Sequence, residues 1–188
     1  MKKFVPLLLV LIANTAPEPA SQGITYDCDT ASGHFSSLVL PVPPGSFTVQ
    51  GKVQPRALAD IGKWTPATRL TIVSRLADAG AVPDDGAGFT ILALPAKMID
   101  KRAGKGIVQF VKWQENQAGK QTESEPFAIQ PAMQAMDFSL RYDGKAVAMA
   151  IGGAETRVAV SKPMSAVRII CSTGEFLYTD LMITPGSQ

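Results

Sequence analysis

The sequence predicts an all-β sandwich or barrel, and three observations support this fold class. Gly (16 residues) and Pro (14 residues) are spread evenly and separate short apolar or alternating runs. Residues 46–54 alternate strictly, with Phe47, Val49 and Val53 on one face and polar side chains on the other. The strands do not alternate with helices as βαβ units require. We therefore expect about ten or eleven short strands in a single domain.

Turn residues divide the rest of the chain into strands. The dipeptide Asp143-Gly144 is the strongest hairpin signal, and Gln117–Lys120 is a second hairpin turn. Residues 70–76 fit either a helix that follows Thr65-Pro66 or a strand, and their β-branched residues favour the strand. Besides 46–54, strands are predicted at 35–40, 70–76, 89–94, 107–114, 123–129, 138–142, 146–151, 156–160, 166–171 and 176–183.

Residues 1–20 are predicted to be a secretory signal peptide. Lys2 and Lys3 precede an apolar run of about ten residues, which is roughly half the length of a membrane-spanning helix. Cleavage between Thr15 and Ser21 would release a single domain, taken as residues 21–188, into the periplasm or the medium. An uncleaved N-terminal anchor is the alternative. After removal of the signal peptide, we expect no transmembrane segment.

The two cysteines, Cys28 and Cys171, are predicted to form a disulfide bond. An exported protein meets an oxidising compartment, and two cysteines allow one intramolecular bond. This bond would join the first part of the fold to one of the last strands. Two unpaired buried thiols are the alternative, because a free cysteine packs like a small apolar side chain.

Composition and charge narrow the classes of partner. Hydrophobic residues make up 46% of the chain and charged residues 18%, which indicates a folded core. Loss of the signal peptide would lower the net charge from +2 to +1, since it removes two lysines and one glutamate. Nucleic acid is therefore not an expected partner. One basic group, interrupted by Asp100, is expected to be a solvated loop. It consists of Lys97, Lys101, Arg102 and Lys105.

Catalytic and metal-binding motifs are missing from the sequence. His34 is the only histidine, so the ligands that zinc prefers are too few. Asp84-Asp85-Gly86 lacks the ligand spacing of a calcium loop and is expected to be a polar turn. Acidic residues in such turns should be solvated and have ordinary pKa values. Glu123 and Glu125 share a face of a predicted strand, but a solvated strand edge is favoured over a catalytic carboxylate pair. We predict no catalytic residue, no metal and no cofactor.

Three segments resemble concanavalin A-like (laminin G-like) jelly rolls. Gly45–Val53 resembles the opening strand of these folds, and residues 172–183 resemble the closing strand. The Asp-Gly hairpin of residues 140–147 is similar to one that they carry in the middle of the domain. The resemblance covers residues 45–184 and implies a jelly-roll sandwich of two antiparallel sheets. Members of this superfamily include glycan-binding lectins, glycoside hydrolases and peptide-processing enzymes, so the fold leaves the function open. The Glu-x-Asp-x-x-Glu signature of the hydrolases is missing here.

The leading functional hypothesis is a non-catalytic binding module for a glycan or another cell-envelope component. Glycan binding uses aromatic platforms, and the candidates are Trp64, Tyr142 and Tyr178. Trp113 shares a face with Ile107 and Val111, so it is expected in the core instead. The alternatives are a diverged polysaccharide-active enzyme and an envelope protein that acts through protein–protein contacts.

Export is the first testable prediction. N-terminal sequencing of the protein purified from the cells that produce it should find a first residue between Thr15 and Ser21, because the signal peptidase removes the apolar segment. Recovery of intact Met1 from a soluble cytoplasmic fraction would show that the N-terminal segment is not a signal peptide.

Overall fold

A computed structural model describes residues 23–58, 63–75, 85–98, 100–102 and 106–186. Eleven antiparallel strands and one short 3₁₀ turn account for the secondary structure of these residues. The predicted signal peptide, Asp84 and Lys105 lie outside these ranges. The predicted all-β fold class is confirmed. No described helix is long and apolar enough to cross a membrane. The strands are β1 Ile24–Pro41, β2 Phe47–Ala57, β3 Ala67–Val73, β4 Asp85–Pro95, β5 Ile107–Gln117, β6 Lys120–Glu123, β7 Ala128–Pro131, β8 Met136–Tyr142, β9 Ala146–Ile151, β10 Ala154–Ala159 and β11 Ala166–Pro185, and the 3₁₀ turn is Ala96–Met98.

The last strand, β11, belongs to both layers of a sandwich. Its residues 166–172 pair with β3 and with residues 35–41 of β1. Its residues 175–185 pair with β2, and the same part of β11 pairs with the first part of β1. The front sheet therefore runs β1, β11, β3, β4 and β5, with β6 and β7 sharing the far edge. The back sheet runs β1, β11, β2, β8, β9 and β10. This is the predicted jelly-roll sandwich.

β11 passes from one sheet to the other at Thr173 and Gly174, whose φ angles are 55° and 129°. The Thr30 hydroxyl donates to the Gly174 carbonyl oxygen at 2.9 Å, which fixes the corner against β1. A Cβ atom at Gly174 would lie 2.7 Å from the carbonyl oxygen of Ala57, so this corner requires glycine. The prediction of two strands, 166–171 and 176–183, is wrong. β1 pairs with β11 on both sides of the corner, and β2 replaces β3 on the opposite side, so this turn signal bends the strand without ending it.

Aromatic side chains from the two sheets meet in the core. Phe89 on β4 contacts Phe138 on β8, with ring centroids 5.4 Å apart, and Phe138 contacts Tyr178 at 6.1 Å. Tyr178 is fully buried, and its hydroxyl hydrogen-bonds the Thr68 hydroxyl on β3 at 2.7 Å. Burial raises the pKa of Tyr178, so the phenol stays neutral and its polar atom is satisfied within the core.

The Cys28–Cys171 disulfide is confirmed, with an S–S distance of 2.00 Å and Cα atoms 6.2 Å apart. Cys28 lies in the part of β1 that pairs with the back-sheet part of β11. Cys171 lies in the part of β11 that pairs with β3 in the front sheet. Both residues are buried, so the bond joins the two sheets through the core.

The segment 123–129 differs from its prediction as one strand. The structure forms β6 up to Glu123 and β7 from Ala128, and both pair with β5. Pro126 lies between them and has no N–H group for the ladder, so the strand is interrupted there. For residues 70–76 the strand interpretation is confirmed over 70–73, because β3 covers Ala67–Val73, whereas residues 74 and 75 form a bend.

Two acidic residues predicted to have ordinary pKa values have lowered pKa values instead. Asp85 lies at the start of β4 and is 3% exposed. Its carboxylate accepts hydrogen bonds from the hydroxyl and backbone of Ser161 and from the β5–β6 turn, and the Ser161 hydroxyl is the main cause of its lowered pKa. In the β8–β9 hairpin, the backbone amides of Lys145 and Ala146 lower the pKa of Asp143 to about 2. Both carboxylates therefore hold turns in place.

We expect the disulfide to contribute much of the stability. Replacing Cys28 with Ser should lower the free energy of unfolding by about 2–5 kcal/mol, because the unfolded chain gains freedom over a long loop. Urea unfolding of the full chain measures this change, and reduction of the native protein provides an independent comparison. Equal unfolding midpoints for the native and substituted proteins would contradict the prediction.

Candidate functional site

The outer face of the front sheet carries a concentration of polar side chains. Neighbouring residues of a strand point to opposite faces, and in β3, β4 and β5 the core side is taken by residues such as Leu70, Phe89 and Val111. The opposite side holds charged, amide and hydroxyl groups. We call this surface the polar face, and it consists of Arg69, Thr71, Thr90, Lys112, Gln114, Asn116, Gln121, Glu123 and Arg168.

Arg69 extends from β3 across the polar face to β6. Its Nε donates to the Thr90 hydroxyl at 3.3 Å, Nη1 donates to Oε1 of Gln121 at 3.2 Å, and Nη2 donates to Oε1 of Glu123 at 3.3 Å. Burial lowers the pKa of Arg69, and the Glu123 carboxylate opposes this shift. Three acceptors on two strands therefore hold the guanidinium in one orientation.

A chain of hydrogen bonds, which we call the polar network, continues from Arg69 along the sheet through Thr90 and Gln114 to Asn116. The Thr90 hydroxyl donates to Oε1 of Gln114 at 3.1 Å, and Nε2 of Gln114 donates to Oδ1 of Asn116 at 3.3 Å. Thr90, Gln114 and Asn116 are each 2% exposed. Within the described part of the chain, Nδ2 of Asn116 has no hydrogen-bond partner. A buried donor of this kind costs about 1–3 kcal/mol when it is unsatisfied.

Glu123 is exposed on the edge strand β6, which agrees with its interpretation as a solvated strand edge, and it also takes part in the polar face. Its carboxylate forms ion pairs with Arg69 and with Lys112, whose Nζ lies 3.7 Å from Oε2. These three side chains remain between 25% and 29% exposed, so solvent reaches them. Glu125 lies beyond the end of β6 and is exposed, so the two glutamates do not form a pair on one strand.

A small cavity of about 160 Å³ opens beside Arg69 on the polar face. Its lining includes Ala67, Thr90, Leu92, Glu123 and Ser172, so it combines charged, hydroxyl and apolar surface. Pockets that enclose drug-sized ligands measure roughly 300–1,000 Å³, so this cavity is too small to enclose a large molecule. It is better suited to part of an extended ligand that lies across the sheet.

An apolar row borders the same cavity. Register places Phe35 opposite Ser172, and the row continues through Ala67 and Leu92 to Phe110. At the β1 edge, Phe35 is 61% exposed. The face therefore offers apolar surface next to fixed hydrogen-bonding groups.

Of the three aromatic candidates, only Trp64 presents its ring to solvent. Trp64 is 48% exposed and lies against Gly33. Tyr178 is fully buried, as described above. Tyr142 is 3% exposed and borders a cavity of about 430 Å³ at the end of the back sheet, together with Arg141 and Asp143. This cavity is the larger of the two, but Asp143 is already committed to its own hairpin and to an ion pair with Arg157.

Other residues singled out in the sequence lie outside the polar network. Trp113 is half-buried, packs against the core and stacks on Phe127, with ring centroids 4.2 Å apart. His34 is exposed, and its Nδ1 lies 3.0 Å from the Ser32 carbonyl oxygen. Lys97 and Arg102 are exposed. Among the described residues, no three His, Cys, Asp or Glu side chains group closely enough to hold a metal ion.

The residues of the polar network were not identified from the sequence. Gln114 and Asn116 share a face in a strand that carries the core residue Val111, and this polar alternation was the available signal. Arg69 and Thr90 carry no local signal, because polar and apolar residues do not alternate regularly in β3 and β4. Only the register between β3 and β4 shows that they are opposite each other.

The comparisons with known proteins concern the fold. No protein-family model matches the sequence, and no curated protein matches it. Three solved structures superpose over most of the chain. A polysaccharide lyase of family 18 is 10% identical, with a TM-score of 0.53 and 92% of each chain covered. An alginate lyase from Alteromonas sp. 272 is 9% identical, with a TM-score of 0.53 and 92% of each chain covered. The chain has a concanavalin A-like jelly-roll fold. The third structure, a protein of unknown function from Saccharomyces cerevisiae, is 11% identical, with a TM-score of 0.52 and coverage of 91% of this chain and 95% of that one.

The hydrogen-bond chain can be tested at its central residue. Replacing Thr90 with Val keeps the shape but should lower the free energy of unfolding by about 1–3 kcal/mol, because Nε of Arg69 and Oε1 of Gln114 lose their partner. Replacing Thr90 with Ser keeps the hydroxyl and should cost less. Chemical denaturation measures both variants. A Val variant as stable as the native protein, or a larger loss for Ser than for Val, would contradict the network.

Proposed function

We propose that this protein is an exported, non-catalytic module that binds a glycan on the polar face of the front sheet. The observation that carries this proposal is the partly exposed cluster of Arg69, Lys112 and Glu123, which the buried hydrogen-bond chain through Thr90 supports. A glycan presents hydroxyl groups that both donate and accept hydrogen bonds. Groups held in place before binding lose little freedom when the ligand arrives, so they favour affinity and orientation.

The surroundings of the polar network support an extended sugar ligand. In the apolar row, Ala67 and Leu92 line the cavity beside Arg69 and offer surface for the C–H faces of sugar rings, next to the polar groups that would bind hydroxyls. The cavity beside Arg69 has a size that suits one part of a longer chain. Two solved structures of the same fold are named as a polysaccharide lyase and an alginate lyase, which adds glycans as a ligand class by analogy.

Export is supported by the disulfide. Such bonds persist in oxidising compartments and are rare in reducing ones, so the Cys28–Cys171 bond favours a periplasmic or secreted location. The predicted signal peptide supports the same location from the sequence.

A non-catalytic role is supported by the chemistry of the polar face. Glycoside hydrolysis uses two carboxyl groups about 5–10 Å apart, one of which has a raised pKa. Glu123 is the one carboxylate among the residues that define the polar face, and it is bound to Arg69 and Lys112. A diverged polysaccharide-active enzyme remains the second candidate, because two of the similar folds belong to lyases.

The proposal predicts retention on polysaccharides through Arg69. The purified mature protein would be tested by affinity electrophoresis against plant, algal and bacterial polysaccharides. Replacing Arg69 with Met should weaken binding by roughly tenfold or more, since it removes the cation that organises the polar face. Arg141→Met is the matched control, because Arg141 is an exposed arginine of the back sheet.

The same samples distinguish the alternatives. Sugar release that is lost in Glu123→Gln would show that the protein is an enzyme and overturn the non-catalytic proposal. An equal loss of binding in Arg69→Met and Arg141→Met would show that the polar face is not the site. Failure of the folded protein to bind any polysaccharide would favour a protein partner.

A further inference from the structure

The outer edge of β1 is a long strand edge that carries no charge in its second half. β1 pairs with β11 along one side, and no other described strand pairs with its opposite side. Exposed strand edges offer unpaired N–H and C=O groups, and proteins commonly protect them with charged side chains. The edge strands β6 and β10 follow this rule, with Lys120 and Glu155 among their exposed residues. Residues 35–40 of β1 are Phe-Ser-Ser-Leu-Val-Leu and do not.

Two exposed apolar side chains lie on this unprotected segment. Phe35 is 61% exposed and Val39 is 38% exposed, and both project on the side of the polar face. They are four residues apart, so they lie symmetrically about Ser37. The segment is bounded by Gly33, which has a φ of 72°, and by Pro41, which has no N–H group. Its length and ends are therefore defined.

We propose that residues 35–40 of β1 pair antiparallel with the same residues of a second copy, which makes the protein a homodimer with two-fold symmetry. In such a dimer, each face of the sheet continues from one copy into the other only when a residue lies opposite the same residue of the second copy at the two-fold axis. The reason is that neighbouring residues of a strand point to opposite faces. An axis through Ser37 places Phe35 of one copy opposite Val39 of the other, twice. Aromatic and β-branched side chains form favourable cross-strand pairs, so both exposed side chains become covered.

The second copy fits this edge better than an unrelated strand. The segment offers no charge with which to select a foreign partner, whereas its own symmetry supplies the two Phe–Val pairs. Asp27 and Asp29 lie beyond Gly33 and outside the paired region, so the pairing brings no like charges together. The dimer does not depend on the proposed glycan binding.

The first test is the oligomeric state of the full chain. Sedimentation at about 100 μM, where a micromolar dimer is populated, should give the mass of two copies. Val39→Lys should raise the dissociation constant by roughly tenfold or more, because a charged edge resists pairing. Ile129→Lys is the matched control, since Ile129 is an apolar side chain on β7 with 55% exposure. It should leave the dimer intact.

The second test reads the register. Both native cysteines are in the disulfide, so Ser37→Cys introduces the one free thiol, and two such thiols would meet at the two-fold axis. Mild oxidation should give a covalent dimer of Ser37→Cys but not of Thr122→Cys, which places the thiol on the exposed edge strand β6. A monomeric chain, equal effects of the two lysine substitutions, or no cross-link at Ser37→Cys would overturn the proposal.

Discussion

The whole sandwich depends on the pairing of β11. This strand lies between β1 and β3 in the front sheet and between β1 and β2 in the back sheet. Neither sheet is complete without it, although it is the last strand in the chain. Most contacts are therefore long-range in sequence, and the chain must close large loops before either sheet forms. The corner at Thr173 and Gly174 is the local device that allows one strand to serve both layers.

The polar face depends on the same arrangement, because close packing of β3 and β4 places its residues. A Cβ atom at Gly88 would lie 1.9 Å from the Leu70 carbonyl oxygen and 2.7 Å from the Thr71 Cα, so the two strands approach more closely than a side chain would permit. In the register across the sheet, Gly88 on β4 lies between Thr71 on β3 and Gln114 on β5. The backbone therefore brings Arg69 within reach of Thr90, and the polar network follows from the fold.

Local patterns in the sequence were sufficient for the fold class and for most strands. Strict alternation located β2, and the Asp-Gly turn located the β8–β9 hairpin. The disulfide followed from the cysteine count and the expected compartment. The polar network could not be found in this way, because Arg69, Thr90 and Gln114 lie on three strands and meet only through register. The burial and lowered pKa of Asp85 could not be predicted for a similar reason, since its partner Ser161 is distant in the chain.

The disulfide also determines what a protease can do to this molecule. Cys28 and Cys171 are 143 residues apart, so most of the chain lies inside the covalent loop that they close. The exposed turns at Ala118-Gly119 and Gly152-Gly153 both fall within it. Exposed loop tips are where proteases cut first. A single cut at either turn leaves two fragments joined by sulfur, so a nicked molecule keeps its strands together and its fragments separate only after reduction.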